Sequence, residues 1–213
     1  MNSRSHVGFW LIVFLCAIFV VPYFVRGDQM RDRLVREVDA VTGTFGDTIG
    51  QALVRQANAI YDATVVASGL RAAMDELKHT QEDYRTAERL GTRVLVEAAR
   101  SADSYMQALA MQFYAVILRA AVVVAWMLML APFTVAVLVD GFAARAKKFE
   151  TLGFQNPTAF ALGFHLVVVV SAVPFLYIVA PFSVTPLFMP YWAVAAALPL
   201  SFAIQHTQPV LTR

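Results

Sequence analysis

Read by polarity alone, the chain consists of four apolar runs and one long polar stretch. The first run, Val7 to Val25, holds 19 residues without a charge, which at about 1.5 Å each matches the hydrocarbon core of a bilayer. It leads into Tyr23-Phe24-Val25-Arg26 with no small-residue cleavage site, so it reads as an uncleaved signal anchor and not as a secretory signal. The second run, Phe113 to Val139, contains Arg119. Ala120 to Val139 already suffice to cross, which leaves Arg119 at a headgroup level with its stem free to snorkel. Burial against a partner in a helix assembly is the alternative. Pro132 predicts a kink in this span.

The third run covers Thr158 to Ala180, opened by Asn156-Pro157 as cap and first-turn residue. The fourth covers Leu187 to Gln205. Between them Pro181-Phe-Ser-Val-Thr-Pro186 has two prolines and no charge, which predicts a tight turn at or just inside the membrane surface and an antiparallel hairpin. Pro174, Pro190 and Pro199 bend this hairpin and free carbonyls that neighbouring helices or water must satisfy.

The polar stretch, residues 26–112, carries 11 of the 17 basic and 13 of the 15 acidic residues. Here the chain meets water. Leu34, Val38, Val41, Phe45, Ile49 and Leu53 recur at helical spacing, while Gly43, Gly46 and Gly50 weaken that helix. Further helices are predicted over Tyr61 to Lys78 and from Tyr84 into the second span. The fold expected is all-α, an integral membrane protein with about four transmembrane helices and a helical extracytoplasmic domain between the first two. Its parts are an N-terminal tail and anchor (1–25), the polar domain (26–112), the second span (113–139), a basic loop (140–157), the hairpin (158–206) and a C-terminal tail (207–213).

Composition agrees with this reading: 59% of the 213 residues are hydrophobic and only 15% charged, far from the quarter typical of soluble domains. A net charge of +2 with dispersed cations argues against direct nucleic-acid binding. Among the short loops, Arg145, Lys147 and Lys148 fall on the same face as Arg4 and Arg213 if there are four spans. That places both termini in the cytoplasm and residues 26–112 outside. Arg26, Arg31, Arg33 and Arg36, close behind the first span, pull the other way.

Candidate chemistry is sparse. His6, His79, His165 and His206 lack a second ligand at metal-binding spacing, and Cys16 is the sole cysteine. Gly43 to Gly50 has glycines but no following Gly-Lys-Ser/Thr, so it is no phosphate loop. Asp75-Glu76 and Glu82-Asp83 read as solvated turns. His165, early in the third span, reads first as an interhelical hydrogen-bonding residue. No catalytic, cofactor or metal site is assigned. The candidate interaction residues are Arg119, His165, and Arg145, Lys147, Lys148 and Phe149, the last four forming with Phe142 and Phe154 a pattern suited to an anionic leaflet or a cytoplasmic partner.

Several features together resemble a family of bacterial inner-membrane proteins of unknown biochemical function, encoded in the conjugative-transfer clusters of plasmids and integrative elements. They are the lone N-terminal anchor, the Glu37-to-Tyr61 stretch with Gly46 and Ala57-x-x-Ile-Tyr61, Val139-Asp140-Gly141, the basic Arg145 to Lys148 stretch, and His165. Phe164 and Leu166 flank His165 where that family has a more polar approach. The resemblance implies a non-enzymatic accessory of a type IV secretion apparatus without cofactors. Its partners would be the lipid bilayer and other membrane proteins of the complex, with a homo-oligomer possible. A small transporter or channel component, and an exclusion or immunity protein of the recipient envelope, are the competing expectations.

Overall fold

The computed structural model describes residues 3–89, 93–150 and 157–207. Among these the chain is helical with no strand. α1 (Ser3–Phe24) and α2 (Gly27–Tyr61) meet at a bend of 115°. A π-helical turn, Asp62–Val66, leads through Gly69 to α3 (Leu70–Glu76) and α4 (Gln81–Arg89). α5 (Arg93–Met129), α6 (Ala131–Glu150), α7 (Pro157–Val179) and α8 (Phe188–Gln205) complete the chain. α5, α7 and α8 are long and apolar enough to cross a membrane, and α1 with α2 gives a fourth candidate if that bent pair is one span.

Two units divide the chain: Met1–Val122 with Tyr177–Pro186, and Val123–Leu176 with Leu187–Arg213. In the first unit α2 runs along α5, burying Met30 against Ala108 and Ala115 beside Val25, Leu34 and Met111. Gly27 N–H donates to Ser104 Oγ at 3.0 Å. At Gly46 the backbone has φ 75° and ψ 166°, a conformation that glycine adopts at little cost. The chain folds back there so closely that a Cβ on Gly50 would stand 2.6 Å from Thr42 Cα. It then descends beside α5. Tyr114 OH donates to Asn58 Oδ1 at 2.7 Å, Tyr61 packs edge-on to Tyr114, and Met74 is buried against Leu109 and Ala110.

The expected stripe on α2 is therefore split. Val41 and Leu53 are buried, but Ile49 is exposed, because Gly46 resets the helical register between them. The helix expected over Tyr61 to Lys78 is broken by the π-helical turn and by Gly69 at φ 77°. Continuity from Tyr84 into the second span falls on residues 90–92, outside the described residues.

In the second unit α7 lies antiparallel to α8. A Cβ on Gly163 would stand 3.1 Å from the Ala203 backbone, and Trp192 Nε1 donates to Val170 O at 2.8 Å. That bond has a local cause. Pro174 has no N–H to offer the carbonyl four residues back, and the indole of the facing helix takes its place. α6 runs in the same direction as α8, with Phe133, Thr134 and Val137 of one and Trp192, Ala193 and Ala196 of the other lining a common apolar crevice of about 170 Å³.

The second apolar run is interrupted where Pro132 predicts a kink: α5 ends at Met129 and α6 begins at Ala131, with Pro132 in its first turn. Leu130 N–H still reaches Trp126 O and Thr134 N–H reaches Leu130 O, so the fault is the missing proline donor. The stretch 140–157, expected as a loop, is helical as far as it is described, since α6 continues to Glu150. Gly141-Phe-Ala-Ala-Arg-Ala-Lys-Lys contains good helix formers, and Lys147 and Lys148 in its last turn complement the helix dipole. Asn156, expected as a cap, lies outside the described residues.

Candidate functional site

The charged residue of the second apolar run is buried against protein. Arg119 is 3% exposed and pairs with Glu37 of α2, itself 5% exposed. Its Nε donates to Glu37 Oε2 at 3.0 Å, and Nη2 donates to Oε1. This fork-on-fork arrangement is the geometry in which a guanidinium and a carboxylate satisfy each other best. The snorkelling expectation is thereby corrected. Positions 112, 115, 119 and 122 of α5 share one buried face, and α2 covers it.

The remaining guanidinium donors meet the end of α7. Nη1 donates to Ala180 O at 2.6 Å, with Tyr177 O and Ile178 O each at 3.4 Å, and Nη2 donates to Phe182 O at 3.0 Å. The last carbonyls of a helix lack intrahelical partners and carry the negative end of its dipole. A buried cation placed there caps the helix and neutralises that end. Arg33 of α2 adds a further bond, from Nη1 to Pro181 O. Two arginines of the first unit thus hold the α7–α8 link by its backbone, while Phe182 leaves its ring exposed.

A second polar cluster gathers on Asp103 of α5. His79 N–H donates to Oδ1 at 3.0 Å, His79 Nδ1 lies 3.0 Å from the same oxygen, and Tyr84 OH donates to Oδ2. That hydrogen bond to a carboxylate pushes the Tyr84 phenol up to about 12, since ionising it would set two anions side by side. Thr80 and Asp83 cap α4 reciprocally: Thr80 N–H donates to Asp83 Oδ2 at 2.7 Å and Asp83 N–H to Thr80 Oγ at 3.3 Å. The hydrogen bonds from Thr80 hold the Asp83 carboxyl below its usual range. Beside the cluster lies a polar groove of about 740 Å³ whose lining includes Lys78, Arg85, Arg100 and Gln107. The acceptors of Asp103 are occupied by the groups it anchors. The arrangement fastens the α3–α4 turn to α5.

The other expected residues belong to the second unit. Arg145, Lys147 and Lys148 do share the last turns of α6, with Lys147 exposed and the other two half-buried. Lys148 Nζ lies 3.2 Å from His206 Nε2, and His206 Nδ1 lies 2.9 Å from Phe202 O. The carbonyl can only accept, so Nδ1 carries the proton and Nε2 accepts from the lysine. The Phe149 side chain lies outside what is described. His165 is exposed, with its ring edge-on to Phe164. The interhelical hydrogen bond expected of it is not formed among the described residues, because Gly163 is the position that faces α8 and turns His165 outward. Among the described residues no group of His, Cys, Asp and Glu is placed to hold a metal ion.

Glu37, Asp103 and Asp83 anchor these contacts, although none of them is among the candidate interaction residues and the sequence reads Asp83 as part of a solvated turn. Glu37 carries a legible signal, standing seven residues after Met30 and four before Val41, on the buried stripe. Thr80-x-x-Asp83 has the spacing of a capping box. Asp103 carries none, being paired with a histidine 24 positions away.

A family model described as IncC plasmid conjugative DNA transfer protein DtrJ-like matches residues 28–211. No curated protein and no solved structure matches the chain.

Proposed function

The chain belongs to the DtrJ-like family of conjugative DNA transfer proteins, and from that membership we propose that it is a non-catalytic, multi-pass scaffold or assembly subunit of the transfer apparatus in the bacterial inner membrane. The observation that carries the reading is the fastening of the α7–α8 link to the polar helices through Arg119 and Arg33. Such a join fits a part that holds other parts in place.

A bilayer accounts for the surface of the second unit, where Val124, Leu128, Val135, Val169, Leu176 and Leu198 are all exposed. The lipid crossing of the second apolar run begins near Val123 on this reading, about ten residues later than hydropathy suggests. Before that point α2 lies on α5 with Arg31, Asp32, Arg36 and Asp39 exposed, a face suited to water. Val123 to Val139 then rise about 25 Å, enough for a thin hydrocarbon core. The α7–α8 link shares a unit with the polar domain, which supports a topology with both on one side. The cations of α6 and the C-terminus are on the other side, cytoplasmic by the positive-inside rule. The partners are further membrane proteins of the transfer complex.

Affinity purification in mild detergent, from cells carrying the full set of transfer genes, tests the proposal. Recovery of other transfer proteins in fixed ratio is expected. Recovery of the chain alone, with transfer unaffected by its deletion, refutes it. A periplasmic reporter fused at Lys78 tests the orientation.

A further inference from the structure

Three features coincide where α2 lies on α5. Glu37 and Arg119 form a buried ion pair with one member on each helix. Gln112 stands on the same face of α5, between Ala108 and Ala115, fully buried, with neither amide atom hydrogen-bonded to the described residues. Gly46, where this part of α2 ends, has positive φ and open space where a side chain would stand, so its backbone conformation and not crowding accounts for glycine there.

An interface that served cohesion alone would be better built from apolar residues. A buried ion pair adds little over well-packed hydrophobes, and an unpaired buried amide is a direct cost. Both become intelligible if α2 leaves this position for part of the working cycle. We propose that the α2–α5 contact is a latch. The part of α2 ahead of Gly46 swings off α5 and takes Glu37 with it. Arg33, carried on the same stretch, leaves Pro181 O, and Arg119, uncovered and without its counter-charge, is hydrated and exchanges the carbonyls of Ala180 and Phe182 for water, which frees the α7–α8 link. By linkage, a partner that prefers the freed link also favours the displaced α2. The latch rests on the reading of this chain as a transfer-apparatus subunit, because the other subunits supply the partner that engages the freed link.

The test uses the full chain in native membranes with Cys16→Ser and a reporter cysteine, Ala180→Cys, at a buried position beneath Arg119. The rate of maleimide labelling is measured with and without the remaining transfer genes. Phe182→Cys, exposed in either state, is the control for access. Labelling of the Ala180→Cys reporter is expected to be slow in the chain alone and about tenfold faster with the transfer genes present. Glu37→Gln should make it fast in both conditions. Glu37→Met with Arg119→Met removes the charges that operate the latch, so the transfer genes should no longer change its rate. An unchanged rate on adding the transfer genes, with the other transfer proteins still copurifying, overturns the latch alone. Absence of copurification overturns the scaffold reading and the latch with it. Fast labelling in the unaccompanied chain overturns the latch too, since the link would then never be held.

Discussion

Glu37→Gln is the sharpest perturbation of the first unit, because it keeps the size and a hydrogen-bonding oxygen and deletes only the charge. Both partners are almost wholly shielded from solvent, at 3% and 5% exposure, so water cannot take over the role of the carboxylate. Removing one member of a buried pair costs about 3–5 kcal/mol. The carbonyls around Arg119 supply part of the lost negative potential, which places this variant at the lower end, about 3 kcal/mol. Arg119→Met should cost more, since it strands Glu37 and also removes the donor for the carbonyls of Tyr177, Ile178, Ala180 and Phe182, each hydrogen bond contributing about 1 kcal/mol net. Glu37→Met combined with Arg119→Met leaves only the carbonyls unsatisfied and should be milder than Arg119→Met alone by about 2 kcal/mol. Unfolding of the full chain by SDS in mixed micelles, followed by far-ultraviolet circular dichroism, compares these variants with the parent chain. A cost under about 1 kcal/mol for Glu37→Gln, or simple addition of the two single effects in the double variant, refutes the pairing as the source of stability.

Gln112→Met exchanges an unpaired buried amide for an apolar side chain of similar shape and should stabilise the chain by about 1 kcal/mol; a loss in the same SDS titration would mean that the amide has a partner. Gly43→Ala meets open space inside a helix and should add about 1 kcal/mol, whereas Gly50→Ala drives a methyl group into the Thr42 backbone and should destabilise. Equal effects of the two would count against the fold-back at Gly46. Asp83, whose carboxyl is held below its usual value of 3.8 by Thr80, contributes its capping only while ionised. The contribution is complete above the unfolded value and lost as pH falls through the lower folded one. Hydrogen exchange at the α4 amides should therefore accelerate below about pH 3.8 in the native chain, and be fast already at neutral pH in Asp83→Ala.

What covers each apolar residue decides how much of this fold is legible in the sequence. α7 and α8 can be placed to within a residue or two, since their runs are apolar on every side and end at Pro157 and at the proline-rich link. The second run misleads for the same reason. Its first ten residues, Phe113 to Val122, are apolar because protein covers them, and the next seventeen are apolar on an exposed surface; composition does not distinguish the two coverings. Arg119 reads as interfacial because its partner, Glu37, looks like any charged residue of a solvated helix. Seeing the pair requires knowing that α2 lies on α5, a contact across 82 positions. His79 with Asp103 is beyond reach on the same ground. The helical nature of residues 140–150 is within reach, because that stretch lacks proline and has a single glycine.

The first unit is assembled from two pieces that are far apart in the chain, Met1–Val122 and Tyr177–Pro186. During synthesis the ribosome must add more than fifty residues after Val122 before the segment that accepts hydrogen bonds from Arg119 exists. Completion of this unit therefore waits on synthesis of the helix that precedes the segment. A fragment cut at residue 122 and expressed by itself would present an arginine prepared for a helix end that never arrives, so biochemical dissection should graft residues 177–186 onto the fragment or keep the chain whole.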